Sequence, residues 1–175
     1  MKKYRIVIKN IIIVCLCITL LLVGYSIYYA QYAHKLPYIE SNTTYIFTYD
    51  KNKFNNLDRK EIRIKLEKIV DVRCYIYTEK NMDITREGYT IPIFRHIYIN
   101  KNLNKIDYIY SLCHELCHLK FNVGDERFTN FETFKYLYNS EFKEVAYYMI
   151  ENLQQGYYIK DYDCLGYIEK YLNKN

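Results

Sequence analysis

The chain opens on an unbroken apolar run and then alternates between helical and extended periods. Residues 11–29 (IIIVCLCITLLLVGYSIYY) carry no charge. A run of that length suffices to cross a hydrocarbon core of ~30 Å as a helix. Residues 43–49 (TTYIFTY) are β-branched and aromatic, which predicts a strand. Asp58 is placed to cap a helix running to about Asp71, with Leu57, Ile62, Leu66, Ile69 and Val70 as its core stripe. Residues 73–78 (RCYIYT) predict a second strand, and the polar stretch 81–88 a loop. Residues 89–100 (YTIPIFRHIYIN) have an extended composition. Pro92 confines that stretch to a sheet edge or a bulge, so 93–99 is expected as an edge strand.

The helical period then returns. Asn104, with Asp107 three residues on, suits a helix start. Ile106, Ile109, Cys113, Leu116 and Cys117 recur every three or four residues, and Gly124 is placed to end the helix after Phe121 and Asn122. Asp125 can cap a second helix beginning at Glu126. An amphipathic helix follows over 141–153 (Phe142, Val145, Ala146, Met149, Ile150, Leu153) and ends at Gly156. A last helix, capped by Asp161 or Asp163, is expected to run to Leu172.

Charge changes the picture at the N-terminus. The net charge is +5, but Lys2, Lys3, Arg5 and Lys9 precede the apolar run and no acid precedes Glu40. Without those four cations the remainder is 21 basic against 20 acidic residues. A near-neutral body gives no footprint for nucleic acid. Cations on one side only predict a cytoplasmic N-terminus, and Tyr25, Tyr28 and Tyr29 suit an interfacial belt at the far end. A cleaved signal peptide is the rival, but no small-x-small site follows the run. The expectation is therefore a transmembrane signal anchor over 1–30, a tether over 31–42 broken by Pro37, and an extracytoplasmic domain over 43–175. The 23 tyrosines make any one of them weak evidence of chemistry.

The chemistry concentrates in His114-Glu115-Leu116-Cys117-His118, which uses two of the four histidines. On a helix, residues four apart lie one turn up on nearly the same face, so both imidazoles can reach one zinc ion. Glu115 lies beside that face, where it can act on a water. A catalytic zinc site needs a third protein ligand and an open position. Glu126, in the first turn of the next helix, is the choice, with Glu132 as competitor. Asn130, four residues beyond Glu126, is expected to hydrogen-bond a ligand. An edge strand before such a helix suits a substrate held extended, which favours peptides.

His-Glu-Leu-Cys-His followed by Glu126-Arg127, Asn130-Phe131 and a helix ending Leu137-Tyr138-Asn139-Ser140 resembles the gluzincin-type zinc metallopeptidases, and most of all membrane-anchored bacterial families of that kind. The resemblance covers residues 111–140. It implies Zn²⁺ held by His114, His118 and Glu126, with Glu115 as general base for hydrolysis of a peptide or protein substrate. With the elements read along the chain, the expected fold is α+β: after the transmembrane helix, a small zincin-like domain with a short sheet, the motif helix and C-terminal helices. The seven residues between His118 and Glu126 are fewer than in the well-known gluzincins. No further His stands at metzincin spacing. The alternative is a non-catalytic membrane-anchored binding protein with a structural or vestigial zinc site, for which Glu115 has no use. A hydrolase of non-peptide amides is a third reading. Cys113 and Cys117 read as core, Cys74 and Cys164 as a pair able to form a disulfide, and His96 as a surface residue with the cleft lining as the alternative.

Overall fold

The computed structural model describes residues 2–32, 34–79, 82, 87–156 and 162–174, with side chains for all of these but 2–10, 28–32 and 79. Helix α1 (Lys2–Tyr32) is followed by α2 (Arg59–Val70), strand β1 (Tyr75–Glu79), strand β2 (Gly88–Ile91), a 3₁₀ turn (Pro92–Phe94) and strand β3 (His96–Asn100). Helices α3 (Lys105–Phe121), α4 (Glu126–Tyr138), α5 (Lys143–Gln154) and α6 (Leu165–Leu172) complete the chain. The architecture is mixed: helices around one small three-stranded sheet.

The expected membrane anchor is corrected. Among the described residues, no helix is long and apolar enough to cross a membrane. The transmembrane helix of the expected fold and the single-pass topology with an extracytoplasmic domain therefore find no support. Tyr28 and Tyr29 lie outside the described side chains.

The sheet has the order β1-β3-β2, with β3 parallel to β1 and antiparallel to β2. The expected single extended stretch over 89–100 is in fact a hairpin. Pro92 opens the 3₁₀ turn, and Arg95 leaves it in the left-handed region at φ 53°. The turn folds Ile91 back opposite His96. The strand foreseen as an edge thus becomes the central one, and β2 is an edge. Within β3, Ile97 and Ile99 are buried against α3 while His96 and Tyr98 face the other way. On that outer face His96 packs among Tyr75, Tyr77, Phe94 and Tyr98, which takes it out of the motif helix's cleft.

Residues 43–49 form no strand. Their period-two pattern is real: Tyr45, Phe47 and Tyr49 are partly covered while Ile46 is 91% exposed. The covered face, however, lies on helix α5. Phe47 stacks on Tyr147 at 4.2 Å between ring centres, and the Tyr49 hydroxyl donates to Glu151. With its amide oriented to satisfy both groups, Gln154 donates to the Tyr45 carbonyl and accepts from the Tyr45 N–H, each at 2.9 Å. A helix side chain thereby supplies the pairing that a neighbouring strand gives elsewhere.

Helix α3 is the hub. Ten of its residues are buried, and it packs against α2, β2, β3, α4 and α5. Asn104 caps it through the Asp107 N–H at 2.9 Å, and it ends at Asn122 in the left-handed region, before Gly124 is reached. Asp58 caps α2 and Asp125 caps α4 as anticipated. Ile62, Leu66 and Val70 of α2, Phe134 and Leu137 of α4, Val145, Met149 and Ile150 of α5, and Ile168 of α6 close the core around it. Asp163 Oδ1 accepts from Leu165 N at the start of α6, whereas Asp161 lies outside the described residues. Cys74 and Cys164 are separate buried thiols, not a disulfide.

Candidate metal centre

One turn of α3 and the first turn of α4 bring three acceptor atoms together. His114 Nε2 and His118 Nε2 are 3.0 Å apart. Glu126 Oε2 stands 3.0 Å from the first and 3.3 Å from the second. The two imidazoles cross at 83° with centres 4.6 Å apart, so both edges address the same point. Tetrahedral ligands about 2.0–2.1 Å from a zinc ion stand about 3.3–3.4 Å from each other, close to this triangle. Glu126 Oε2 is buried, yet among the described residues no hydrogen bond of sound geometry closes on it. Three inward-facing lone-pair carriers with an unsatisfied carboxylate oxygen fit a cation at their centre. The sharp turn at Asn122 and the Asp125 cap explain why so short a spacer suffices: α4 starts immediately, and its first residue points back at α3.

The surroundings fix which atoms face inward. His118 Nδ1 lies 2.7 Å from the Val123 carbonyl and 3.2 Å from Thr129 Oγ1. Thr129 spends its own proton on the Asp125 carbonyl at 2.8 Å, so its oxygen is an acceptor there. Nδ1 therefore carries the hydrogen, which leaves the Nε2 lone pair for the centre. Burial works against charging His118, but the carboxylates of Glu126 and Glu115 and the Val123 carbonyl outweigh it and raise its pKa to about 9. Burial likewise disfavours the Glu126 anion, but the two imidazoles prevail and hold its carboxyl well below the usual range. His114 Nδ1 is buried without a hydrogen-bond partner among the described residues, beside the Tyr110 ring.

Glu115 is buried on the adjoining face of α3, and its Oε2 accepts from Thr90 Oγ1 of β2 at 2.6 Å. Asn130 is fully buried, but it bonds the Tyr110 hydroxyl (2.9 Å) and the Tyr162 carbonyl (2.9 Å) rather than a ligand. It therefore reaches His114 only through Tyr110. Glu132 is drawn away from the centre by Lys135 at 2.6 Å. Cys113 and Cys117 are fully buried in the apolar stripe, and burial pushes the Cys113 thiol far up, which keeps it protonated and unsuited to a metal. One turn before His114, Ser111 donates to Glu87 Oε2 at 2.5 Å, and burial raises the Glu87 pKa.

Sequence reasoning missed Thr90, Thr129 and the Val123 carbonyl. A carbonyl has no sequence signal. Thr129 had one: three residues after Glu126, it shares that residue's helix face. Gly88 fell in the stretch read as a loop, so its place in β2 against Glu115 carried no signal.

Comparison with protein-family models supports a zinc metallopeptidase-like domain. Residues 70–152 match the family model Peptidase_M78, described as the IrrE N-terminal-like domain. That stretch runs from the end of α2 to α5 and contains the whole cluster. The family includes regulatory members beside peptidases. No curated protein and no solved structure matches the chain.

Proposed function

We propose that this protein is a zinc-dependent peptidase of the gluzincin type. The observation that carries the reading is the convergence of His114 Nε2, His118 Nε2 and Glu126 Oε2 within 4.8 Å of one another, with Glu115 on the neighbouring face of the same helix. His114, His118 and Glu126 would hold the metal. A zinc ion there supplies a Lewis acid that polarises a carbonyl and makes water acidic enough to attack near neutral pH. Glu115 takes the proton from the attacking water and delivers it to the leaving amine. Burial and the Thr90 hydroxyl keep that carboxylate in one orientation. The substrate is a peptide or protein segment laid in extended form along the edge strand β2, whose inner face abuts Glu115.

The test combines metal content with cleavage. The wild-type protein should carry about one zinc, reduced in His118→Ala and Glu126→Ala and retained in Glu132→Ala. Glu115→Gln should keep the zinc and lose cleavage of a proteome-derived peptide library. Full cleavage by Glu115→Gln would remove Glu115 from the reaction. Zinc binding without cleavage by the wild type would instead favour a regulatory binding protein with a vestigial site.

A further inference from the structure

Glu115 is held by the sheet as well as by its own helix. Thr90, the third residue of β2, points its hydroxyl at Glu115 Oε2 (2.6 Å), and the Glu115 backbone carbonyl stands 3.3 Å from that Thr90 hydroxyl oxygen. The hydroxyl has a single proton, and the short contact to the carboxylate takes it. Two residues earlier, on the same face of β2, Gly88 brings the strand backbone against the same side chain. A Cβ there would meet Glu115 Cγ at 3.3 Å, Ile99 Cδ1 at 2.9 Å and the Tyr98 carbonyl at 3.0 Å. Strand β2 thus fixes Glu115 twice, by a hydrogen bond and by close packing. Neither residue bonds His114, His118 or Glu126. The hydrogen bond engages one carboxylate oxygen, Oε2, and leaves Oε1 without a hydrogen bond among the described residues.

We infer that Thr90 is a positioning residue for the reaction: it occupies Oε2 of Glu115 so that Oε1 is presented to the water. The inference rests on the peptidase reading. Its physical basis is that a rotatable carboxylate spends most of its time misaligned, and a misplacement of about 1 Å costs on the order of a hundredfold in rate. Position 90 is set by register: Thr90 pairs with Ile97, whose side chain is buried against α3 on the same face. A slip of one residue would turn Thr90 outward and place Tyr89 or Ile91 against Glu115.

The experiment uses the full chain with Thr90→Val, which keeps the shape and removes the hydroxyl, and Thr90→Ser, which restores it. The first readout does not depend on catalysis. In urea unfolding of the zinc-loaded protein, Thr90→Val should lower the folding equilibrium constant about tenfold or more, as for loss of a charge-assisted hydrogen bond. In a Glu115→Ala background the same substitution should have little effect. The second readout is turnover of whichever library peptides the wild type cleaves. Thr90→Val should lower kcat about 10–100-fold with KM within about twofold and zinc content unchanged, and Thr90→Ser should recover most of the loss. Wild-type kcat in Thr90→Val, or equal unfolding effects with and without Glu115, overturns the assignment. A wild type that binds zinc and cleaves nothing overturns the peptidase reading itself. A coupled unfolding cycle would then make Thr90 a purely structural partner of a non-catalytic Glu115.

Discussion

The His114–His118–Glu126 triangle favours positive charge at its centre, which raises the His118 pKa and lowers that of Glu126. The sign of its contribution follows from the two shifts. His118 is raised from 6.5 to about 9, so its share of stability is complete below about 6.5 and is lost as pH rises through about 9. Glu126 is lowered from 4.5, so its share is present above about 4.5 and is lost as pH falls toward its folded value. The pair therefore stabilises the metal-free fold best between those limits. Zinc must displace the His118 proton, so its affinity should move the opposite way at alkaline pH. One proton released corresponds to about a tenfold tighter Kd per pH unit between pH of about 7 and 8. Competition titration with a chromophoric chelator measures it; a Kd flat across that interval would mean that His118 holds no proton there for zinc to displace.

At the scale of elements, α6 is held by an irregular segment from early in the chain. Residues 36–43 run along α4 and α6 without regular structure of their own. The Leu36 carbonyl accepts from Arg127 Nη1 at 2.6 Å, the Pro37 carbonyl from the Tyr167 hydroxyl at 2.9 Å, and Ser41 donates to Glu169 at 2.9 Å. Arg127, buried next to Glu126, also donates to the Asp163 carbonyl at 2.8 Å and so ties the segment before α6 to the helix that carries Glu126. Close approach is possible because α6 has Gly166 at the crossing, where a Cβ would stand 2.3 Å from the Ile39 carbonyl oxygen and 2.7 Å from its Cγ2. Gly166→Ala gains helix propensity of up to about 1 kcal/mol. Overlap with backbone costs more, so a net loss of about 1–3 kcal/mol is expected by urea unfolding. A variant as stable as the wild type would show that the 36–43 segment is not packed on α6 in solution.

For the whole molecule, the metal centre is also the closure between α3 and α4, the hub helix and its neighbour. Anything that binds the closed arrangement and not the unfolded chain stabilises it by mass action. Zinc at about a hundredfold over its Kd should add about 2.7 kcal/mol and raise Tm by several degrees for a domain of this size. Calorimetry with and without EDTA checks this, and the response should vanish in Glu126→Ala. Were the wild-type Tm indifferent to zinc, the centre would not hold the metal in the folded state. The unit that should respond extends beyond residues 70–152 of the family match, because α2, the 36–43 segment and α6 pack on the matched part.

The sequence alone determined what depends on near neighbours. Helical period, the Asp58, Asn104 and Asp125 caps, and the four-residue spacing of His114 and His118 are local, and each was legible because one turn of helix fixes its geometry. Glu126 was reachable because its own cap places it at the start of α4. What only the tertiary structure decided depends on partners distant in the chain. Residues 43–49 alternate like a strand, yet lie on α5, since period two records which face is covered and not what covers it. The extended stretch 89–100 became a hairpin because Pro92 and the left-handed Arg95 turn it, making β3 central and β2 the edge. Asn130 turned to Tyr110 and Tyr162, and Thr90 came to Glu115 across 25 residues. Side-chain hydrogen bonds of that kind form between whichever groups the packed core brings together, and no spacing in the chain encodes them.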